Sequence, residues 1–268
     1  MKAAFISDLH IGPTAFYKGV RRKLSEHSEH YIHRFVEQVS DSKQYSFAIQ
    51  LGDLIQDEGL EIDRENVRNA LSVFSQTTIP FHHVVGNHDT INISHKEIGD
   101  LLSMECLYYS FDIDGAHVVI LHSYNPVPET PGIIIPSEQM EWLKVDLNET
   151  DNPTLIFIHH SLADQDLTGN PWFVGRSELA LIDNRADVRD LISASGKVVA
   201  VVNGHLHWNQ VEVHDGIPYI TVQSAIENFA DDGVPANSWG EVEVSEQQFR
   251  LSVFGNDPYE FEYQFTVQ

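Results

Sequence analysis

The stretch Val198-Val199-Ala200-Val201-Val202-Asn203-Gly204-His205-Leu206-His207 decides the fold. Its apolar run is β-branched, too short for a helix and closed by Asn-Gly, so it predicts a strand buried on both faces. The strand then runs straight into two imidazoles. Working outward, the same arrangement recurs along the chain. Ala3 to Ile6 leads through Ser7 into Asp8-Leu9-His10, and Phe47 to Gln50 leads through Leu51 into Gly52-Asp53. Phe81 to Val85 leads into Gly86-Asn87-His88-Asp89, and Leu155 to Ile158 into His159-His160. Each run delivers a carboxylate, an amide or an imidazole to the same end of a sheet, where open α/β folds place ligands.

Helical patterns separate these strands. Ile32, Phe35, Val36 and Val39 share one helical face, as do Val67, Ala70, Leu71 and Phe74. A third helix is expected over Glu138 to Leu147, with Ser137 as N-cap behind Pro136. Two hairpins are expected. One pairs Tyr109–Ile113 with His117–Leu121 around Asp114-Gly115, and the other pairs Val211–Val213 with Ile217–Val222 around His214-Asp215-Gly216. Residues 125 to 136, rich in proline, read as an irregular loop. From Tyr259 to Val267 apolar and polar residues alternate strictly, which predicts a half-buried terminal strand or an edge through which a homo-oligomer pairs. The front reads βαβαβ and the back is richer in hairpins. The expected fold class is α/β (α+β), two stacked mixed sheets flanked by helices, in one domain over residues 1–268.

Each polar fragment taken alone has a bland reading. Asp8 or Asn87 can cap a turn, and a lone His159 can be a satisfied core histidine. Their joint order is harder to dismiss, because polar groups gathered at buried strand ends are costly without a counter-ion. A metal removes that cost. Carboxylates, an amide and imidazoles without thiolates suit Mn, Fe, Zn, Co or Ni rather than a cysteine-built structural zinc. Seven or so donors exceed one tetrahedral site and suit two ions roughly 3.5–4 Å apart, the spacing of two-metal hydrolysis.

The ordered set Asp8-x-His10, Gly52-Asp53, Gly86-Asn87-His88-Asp89, His159 and Gly204-His205-x-His207 resembles the calcineurin-like metallophosphoesterase superfamily, and its dimetal phosphodiesterase branch in particular. The resemblance implies a four-layer αββα sandwich. It also implies two ions, of Mn, Fe or Zn, one held by Asp8, His10, Asp53 and His207 and the other by Asp53, Asn87, His159 and His205, with Asp53 bridging. Water activated between the two cations would attack phosphorus in line with the leaving oxygen. His88 would stabilise the phosphoryl group or protonate the leaving alkoxide. His160 is expected beside the metals or in the substrate pocket. Two departures stand out. Many members carry an acid three residues after the bridging Asp, where this chain has Gln56 and then Asp57, so either Asp57 or Asp89 orients His88. Ser161-Leu162 also replaces the prolines that often follow the paired histidines of cyclic-nucleotide diesterases. A looser resemblance, over Phe81-His82-His83 and Tyr108 to Tyr124, points to manganese-dependent nucleoside-diphosphate-linked diphosphatases.

Two further stretches bear on substrate. Lys18, Arg21, Arg22 and Lys23 form a basic cluster that either draws anions to the site mouth or forms a solvated helix face. In Gly169 to Arg176, Trp172 or Phe173 is expected to stack on a base and Arg176 to touch a phosphate, or else the aromatics merely cover the core edge. His82, His83, His117, His122 and His214 have no assigned chemistry and most are expected to be structural, with His122 left open because it ends another strand.

Composition limits the partners. The chain has 268 residues, 40 acidic against 16 basic, and a formal net charge of -24, which argues against a broad grip on nucleic acid or anionic membrane. Its only cysteine, Cys106, cannot form an internal disulfide. No targeting or membrane-spanning segment is expected. The sequence therefore reads as a cytoplasmic hydrolase of small phosphoesters, a phosphodiesterase before a phosphomonoesterase.

Overall fold

A computed structural model describes residues 1–124, 132–245 and 247–266. The strands are β1 (Lys2–Ile6), β2 (Ala15–Tyr17), β3 (Val20–Lys23), β4 (Phe47–Gln50), β5 (Phe81–His83), β6 (Tyr109–Ile113) and β7 (Ala116–Ile120). They continue as β8 (Thr154–Ile158), β9 (Val198–Asn203), β10 (Gln210–His214), β11 (Ile217–Thr221), β12 (Trp239–Val244), β13 (Gln248–Phe254) and β14 (Tyr259–Gln264). The α-helices are α1 (Ser28–Asp41), α2 (Leu60–Phe74), α3 (His95–Leu102), α4 (Ser137–Glu149) and α5 (Arg185–Ser195).

Two large mixed sheets stack face to face. The first runs β14-β13-β12-β1-β4-β5, parallel through β1, β4 and β5 and antiparallel beyond β1. The second runs β10-β11-β9-β8-β7-β6, parallel in its middle and closed at each edge by a hairpin. Alternation along each central strand feeds two cores. In β1, Ala3 and Phe5 join Phe47, Phe157 and Val202 between the sheets, while Ala4 and Ile6 face α1 and α2 through Phe35, Val67 and Phe74. On the far side Ile156 and Val201 meet Leu143 and Leu147 of α4 and Val188 and Ile192 of α5. The result is the expected αββα layering. Each fully buried Phe, Leu, Ile or Val contributes about 1.5–3 kcal/mol, which makes these layers a stiff platform for the loops at their ends.

Several local expectations needed correction. Residues 18–23 are not a helix face but the β2–β3 hairpin, a strand pair that adds to the front half. Ser137 does not cap α4. It is the first helical residue, behind Pro136, whose ring-fixed φ of -62° suits the position before a helix. His214 belongs to β10, so that hairpin turns on Asp215-Gly216 alone, both left-handed at φ 51° and 79°. The terminal strand stops at Gln264, and its alternating half-buried pattern fits its place at a sheet edge. Val267 and most of the proline-rich loop, residues 125–131, lie outside the described residues. Among the described residues, no helix is long and apolar enough to cross a membrane.

Candidate metal centre

The loops that leave β1, β4, β5, β8 and β9 meet at one end of the two sheets. Short backbone bonds stitch them together: Asp8 N donates to Gly52 O at 3.2 Å, and His10 N to Asp53 O at 2.9 Å. Asp8, His10, Asp53, His205 and His207 all carry left-handed backbones, with φ of 52°, 44°, 51°, 68° and 59°. For residues with a Cβ this conformation costs about 1–3 kcal/mol each, and such strain collects at functional sites. Glycines at the same loops allow the close approach. A Cβ at Gly86 would overlap Asp53, and one at Gly204 would overlap Asp8 and Ser7.

The buried polar side chains fall into two overlapping groups. Asp8, His10 and His207 bring ligand atoms within 4.8 Å of one another, as do His159, His160 and His205. Asp53 joins both sides: its Oδ2 lies 3.6 Å from His10 Nε2 and its Oδ1 3.3 Å from His159 Nε2. Near the first group, His207 Nε2 lies 3.3 Å from Asp8 Oδ1 and 3.2 Å from His10 Nε2.

Outer partners decide which ring nitrogen points inward. A carbonyl can only accept, so the nitrogen facing it carries the proton. His159 Nδ1 donates to Leu51 O at 2.9 Å, and His205 Nε2 donates to Leu179 O at 2.9 Å. His207 Nδ1 faces the fully buried Glu227 at 2.5 Å. Each ring therefore turns its other nitrogen toward the centre, where loss of a proton frees a lone pair for a ligand. His159 Nε2, His205 Nδ1 and Asn87 Oδ1 are buried without a hydrogen-bond partner among the described residues, although each could accept one. Such orphaned acceptors are costly and fit a cation.

Charge reinforces this pattern. Burial opposes charge throughout, yet Asp53 lies well below the usual carboxylate range because of His159 and His88, and Asp8 is lowered by His207. The reciprocal effect overcomes burial to lift His159 and His207 to about 9. His205, with no carboxylate so close, is pushed by burial to about 3.

His88 stands at the edge of this group. Its backbone N–H donates to Asp53 Oδ1 at 2.9 Å, and its Nδ1 meets Asp57. Of the two acids considered for orienting His88, Asp57 is the one in contact. Asp89 instead accepts backbone N–H bonds from Leu54, Ile55 and Gly86 at 2.9, 3.2 and 2.8 Å, tying two of the loops together.

A cavity of about 690 Å³ opens over these groups, lined among others by Asp53, Asn87, His88, His160, His205 and His207. Ser123 Oγ lies 2.8 Å from His160 Nδ1 and fixes that ring in the wall. Trp172, Phe173 and Arg176 line the same cavity. Trp172 Nε1 donates to Glu227 at 2.8 Å, Phe173 packs on His205 at 4.7 Å between ring centroids, and Arg176 bonds to the Trp172 carbonyl. Lys23 lies in the wall, whereas Arg21 pairs with Glu26, and Arg22 with Asp232 at 2.8 Å. Two residues with clear places in this site, Glu227 and Lys23, escaped sequence reading as individuals. Glu227 sits in Ala225-Ile226-Glu227-Asn228, where no motif marks it, and Lys23 was one of four similar basic residues.

The sequence profile of the calcineurin-like phosphoesterases matches residues 1–209. The chain belongs to that family. Among curated proteins it is 24% identical over 155 residues to a probable cyclic nucleotide phosphodiesterase of Fibrobacter succinogenes, covering 56% of this chain and 54% of that one. It is 29% identical over 110 residues to purple acid phosphatase 21 of Arabidopsis thaliana, covering 40% of this chain and 22% of the relative. The chain thus spans about half the length of the first relative and less of the second. Of solved structures, a dimetal phosphatase from Danio rerio superposes with a TM-score of 0.76 at 18% identity, with 99% of each chain covered. Purple acid phosphatase PPD1 from yellow lupin gives 0.65 at 14% identity, covering 98% of this chain and 53% of that one. At these identities the likeness is one of fold, and the fold is that of this family of phosphoesterases.

Proposed function

We propose that this phosphoesterase is a two-metal phosphodiesterase acting on a small nucleotide or alcohol-phosphate ester. One observation carries the reading: buried atoms of Asn87, His159 and His205, without hydrogen-bond partners among the described residues, gather at the same strand ends as the Asp8, His10 and His207 group, with Asp53 reaching both His10 and His159. The donor set fits divalent or trivalent ions such as Mn, Fe or Zn. Asp8, His10, Asp53 and His207 would hold one ion, and Asp53, Asn87, His159 and His205 the other. Bound there, the ions would supply Lewis-acid activation of water and neutralise phosphate charge.

The chain's own residues do the rest. Leu51 O, Leu179 O and Glu227 fix the three imidazoles so that no reorientation is needed on binding. Asp57 holds His88 Nδ1, leaving Nε2 as the atom that gives a proton to the leaving oxygen. His160 and Trp172 shape the cavity wall, with Arg176 at its exposed edge as a phosphate contact. Residues 1–268 would act as one domain, since both sheets contribute to the centre.

The similarity to a probable cyclic nucleotide phosphodiesterase supports diesters over monoesters. The purple acid phosphatase relatives support the second reading, a phosphomonoesterase using the same site. Metal analysis of the purified protein, followed by rates on bis-aryl and mono-aryl phosphates in Mn, Zn, Mg and Fe, separates them. The diesterase reading expects two ions per chain and faster cleavage of the bis-aryl ester. Faster mono-aryl cleavage would favour the second reading, and no metal with no cleavage would end both.

A further inference from the structure

The Lys23 ammonium is the one basic group of its hairpin that is folded into the site. It is buried, its Nζ lies 3.3 Å from His88 Nε2, 3.3 Å from His10 Nδ1 and 3.5 Å from Gln56 Oε1, and it sits 5.4 Å over the Trp172 ring. Among the described residues no carboxylate pairs with it directly, although Asp53, Glu227, Asp8 and Asp57 surround it at longer range. A buried lysine without a directly paired acid is uncommon, because desolvating an ammonium is costly. We propose that Lys23 is a substrate-binding residue whose ammonium grips a non-bridging oxygen of the phosphoryl group, beside the leaving oxygen that His88 Nε2 serves. This rests on the two-metal reading above.

Two features separate this role from that of a mere counter-ion. Charge is the first. Metal ions held by Asp8 and Asp53 would offset the carboxylates around Lys23, leaving its ammonium facing the cavity as a partner for an anionic phosphoryl oxygen. Hydrogen-bond chemistry is the second. His10 Nε2 faces Asp53 and His207, so a metal there takes the Nε2 lone pair and places the ring proton on Nδ1. A protonated Nδ1 cannot accept from Lys23. A His88 Nε2 that carries the proton for the leaving oxygen cannot accept from it either, so the ammonium has Gln56 and the cavity as its remaining partners. The Trp172 ring lies under the ammonium and, through Glu227, ties the lysine's place to that of His207. The site thereby couples metal loading to presentation of a phosphate-binding cation.

The test is calorimetric titration of inorganic phosphate into manganese-loaded protein, with metal content and Tm measured on the same samples. Lys23→Met keeps the stem and Lys23→Gln keeps a donor, and neither carries charge. Both variants are expected to hold the wild-type metal complement and bind phosphate about 10- to 100-fold more weakly, the loss expected of one charge-assisted hydrogen bond. Wild-type phosphate affinity in either folded variant would overturn the proposal. So would an affinity lost only together with metal, since Lys23 would then be a support for His10. If Lys23→Met fails to fold, Lys23→Gln decides alone. A wild-type protein that takes up no metal defeats the underlying reading, and this proposal with it. Metal-replete variants that bind phosphate normally defeat only the role of Lys23.

Discussion

His117 and His207 are both buried histidines with a carboxylate at Nδ1, yet their surroundings leave them with different capacities. His117 has Asp112 at 2.9 Å from Nδ1 and Asp146 at 2.9 Å from Nε2, so both nitrogens are used by the protein. His207 has Glu227 at Nδ1, while its Nε2 faces Asp8 and His10. The first is a closed ion-paired pin between a hairpin and α4. The second is open on one side, as are His159 and His205. What marks a candidate ligand is therefore an oriented nitrogen that points into a cluster of other such side chains and not onto one closing acid, since burial and a nearby acid are common to both.

The widest separation between the two places should come from their acids. Asp53→Asn removes the group that reaches both halves of the centre. Phosphoester hydrolysis should fall by more than about 100-fold, beyond the 10- to 100-fold that loss of an outer partner usually costs, with metal content falling as well. Asp112→Asn, beside His117, should leave both unchanged. Full activity in Asp53→Asn would remove the bridging role. Glu227→Gln is the next step down. It keeps a hydrogen-bonding side chain beside His207 but loses the charge, and metal affinity should weaken about 10- to 100-fold by equilibrium dialysis. An unchanged affinity would make Glu227 a support for Trp172 alone.

The same contrast explains what was legible in the sequence. The strands that carry Asp8, Asp53, Asn87, His159 and His205 were visible because each is a short apolar run ending in a polar motif, and the αββα layering followed from their alternation. The β2–β3 hairpin was not, because Phe16-Tyr17-Lys18-Gly19-Val20 has no buried face to print a period. Among the site residues, those projecting from strand ends were readable in place. Glu227 was not, because it reaches His207 from a loop whose position is set by long-range contacts such as Ala225 N to Ser7 O at 2.9 Å. Whether Asp57 or Asp89 orients His88 also needed the fold, since Asp89 is its sequence neighbour, Asp57 stands 31 residues away, and only tertiary packing turns Asp89 onto the backbone and brings Asp57 to the ring.

The next effect concerns pH. In the metal-free protein burial opposes protonation of His159 and His207, but Asp53 and Asp8 lift them from 6.5 to about 9. The folded state binds those protons more tightly than the unfolded chain does. The stabilisation is therefore complete below about pH 6.5 and is lost as pH rises toward 9. A bound metal needs the same nitrogens deprotonated, so its contribution grows over that interval. The Tm of metal-free protein should fall from pH 6.5 to 9, while the gap between metal-loaded and metal-free samples widens. A gap that is flat with pH would mean that these imidazoles do not exchange protons for metal.

The smallest effect is expected at the closed pin itself. His117→Gln can keep one hydrogen bond but cannot span both acids, and Asp112 is 65% exposed, so solvent already screens that half of the pair. The Asp146 half is better shielded, with 14% of its side chain exposed, and Ser110 Oγ at 2.5 Å would still serve that carboxylate. The loss should be about 1–2 kcal/mol, a Tm lower by roughly 2–4 °C for a chain of this size. Because burial works against the charge of His117 and its two acids outweigh that, its pKa is raised, and the deficit should be largest at acid pH and shrink as the wild-type imidazole loses its proton. Metal content and hydrolysis should not change at any pH. A drop in either would mean that the β6–β7 hairpin transmits strain along β7 to Ser123 and so to His160, joining two places whose hydrogen bonds keep them separate.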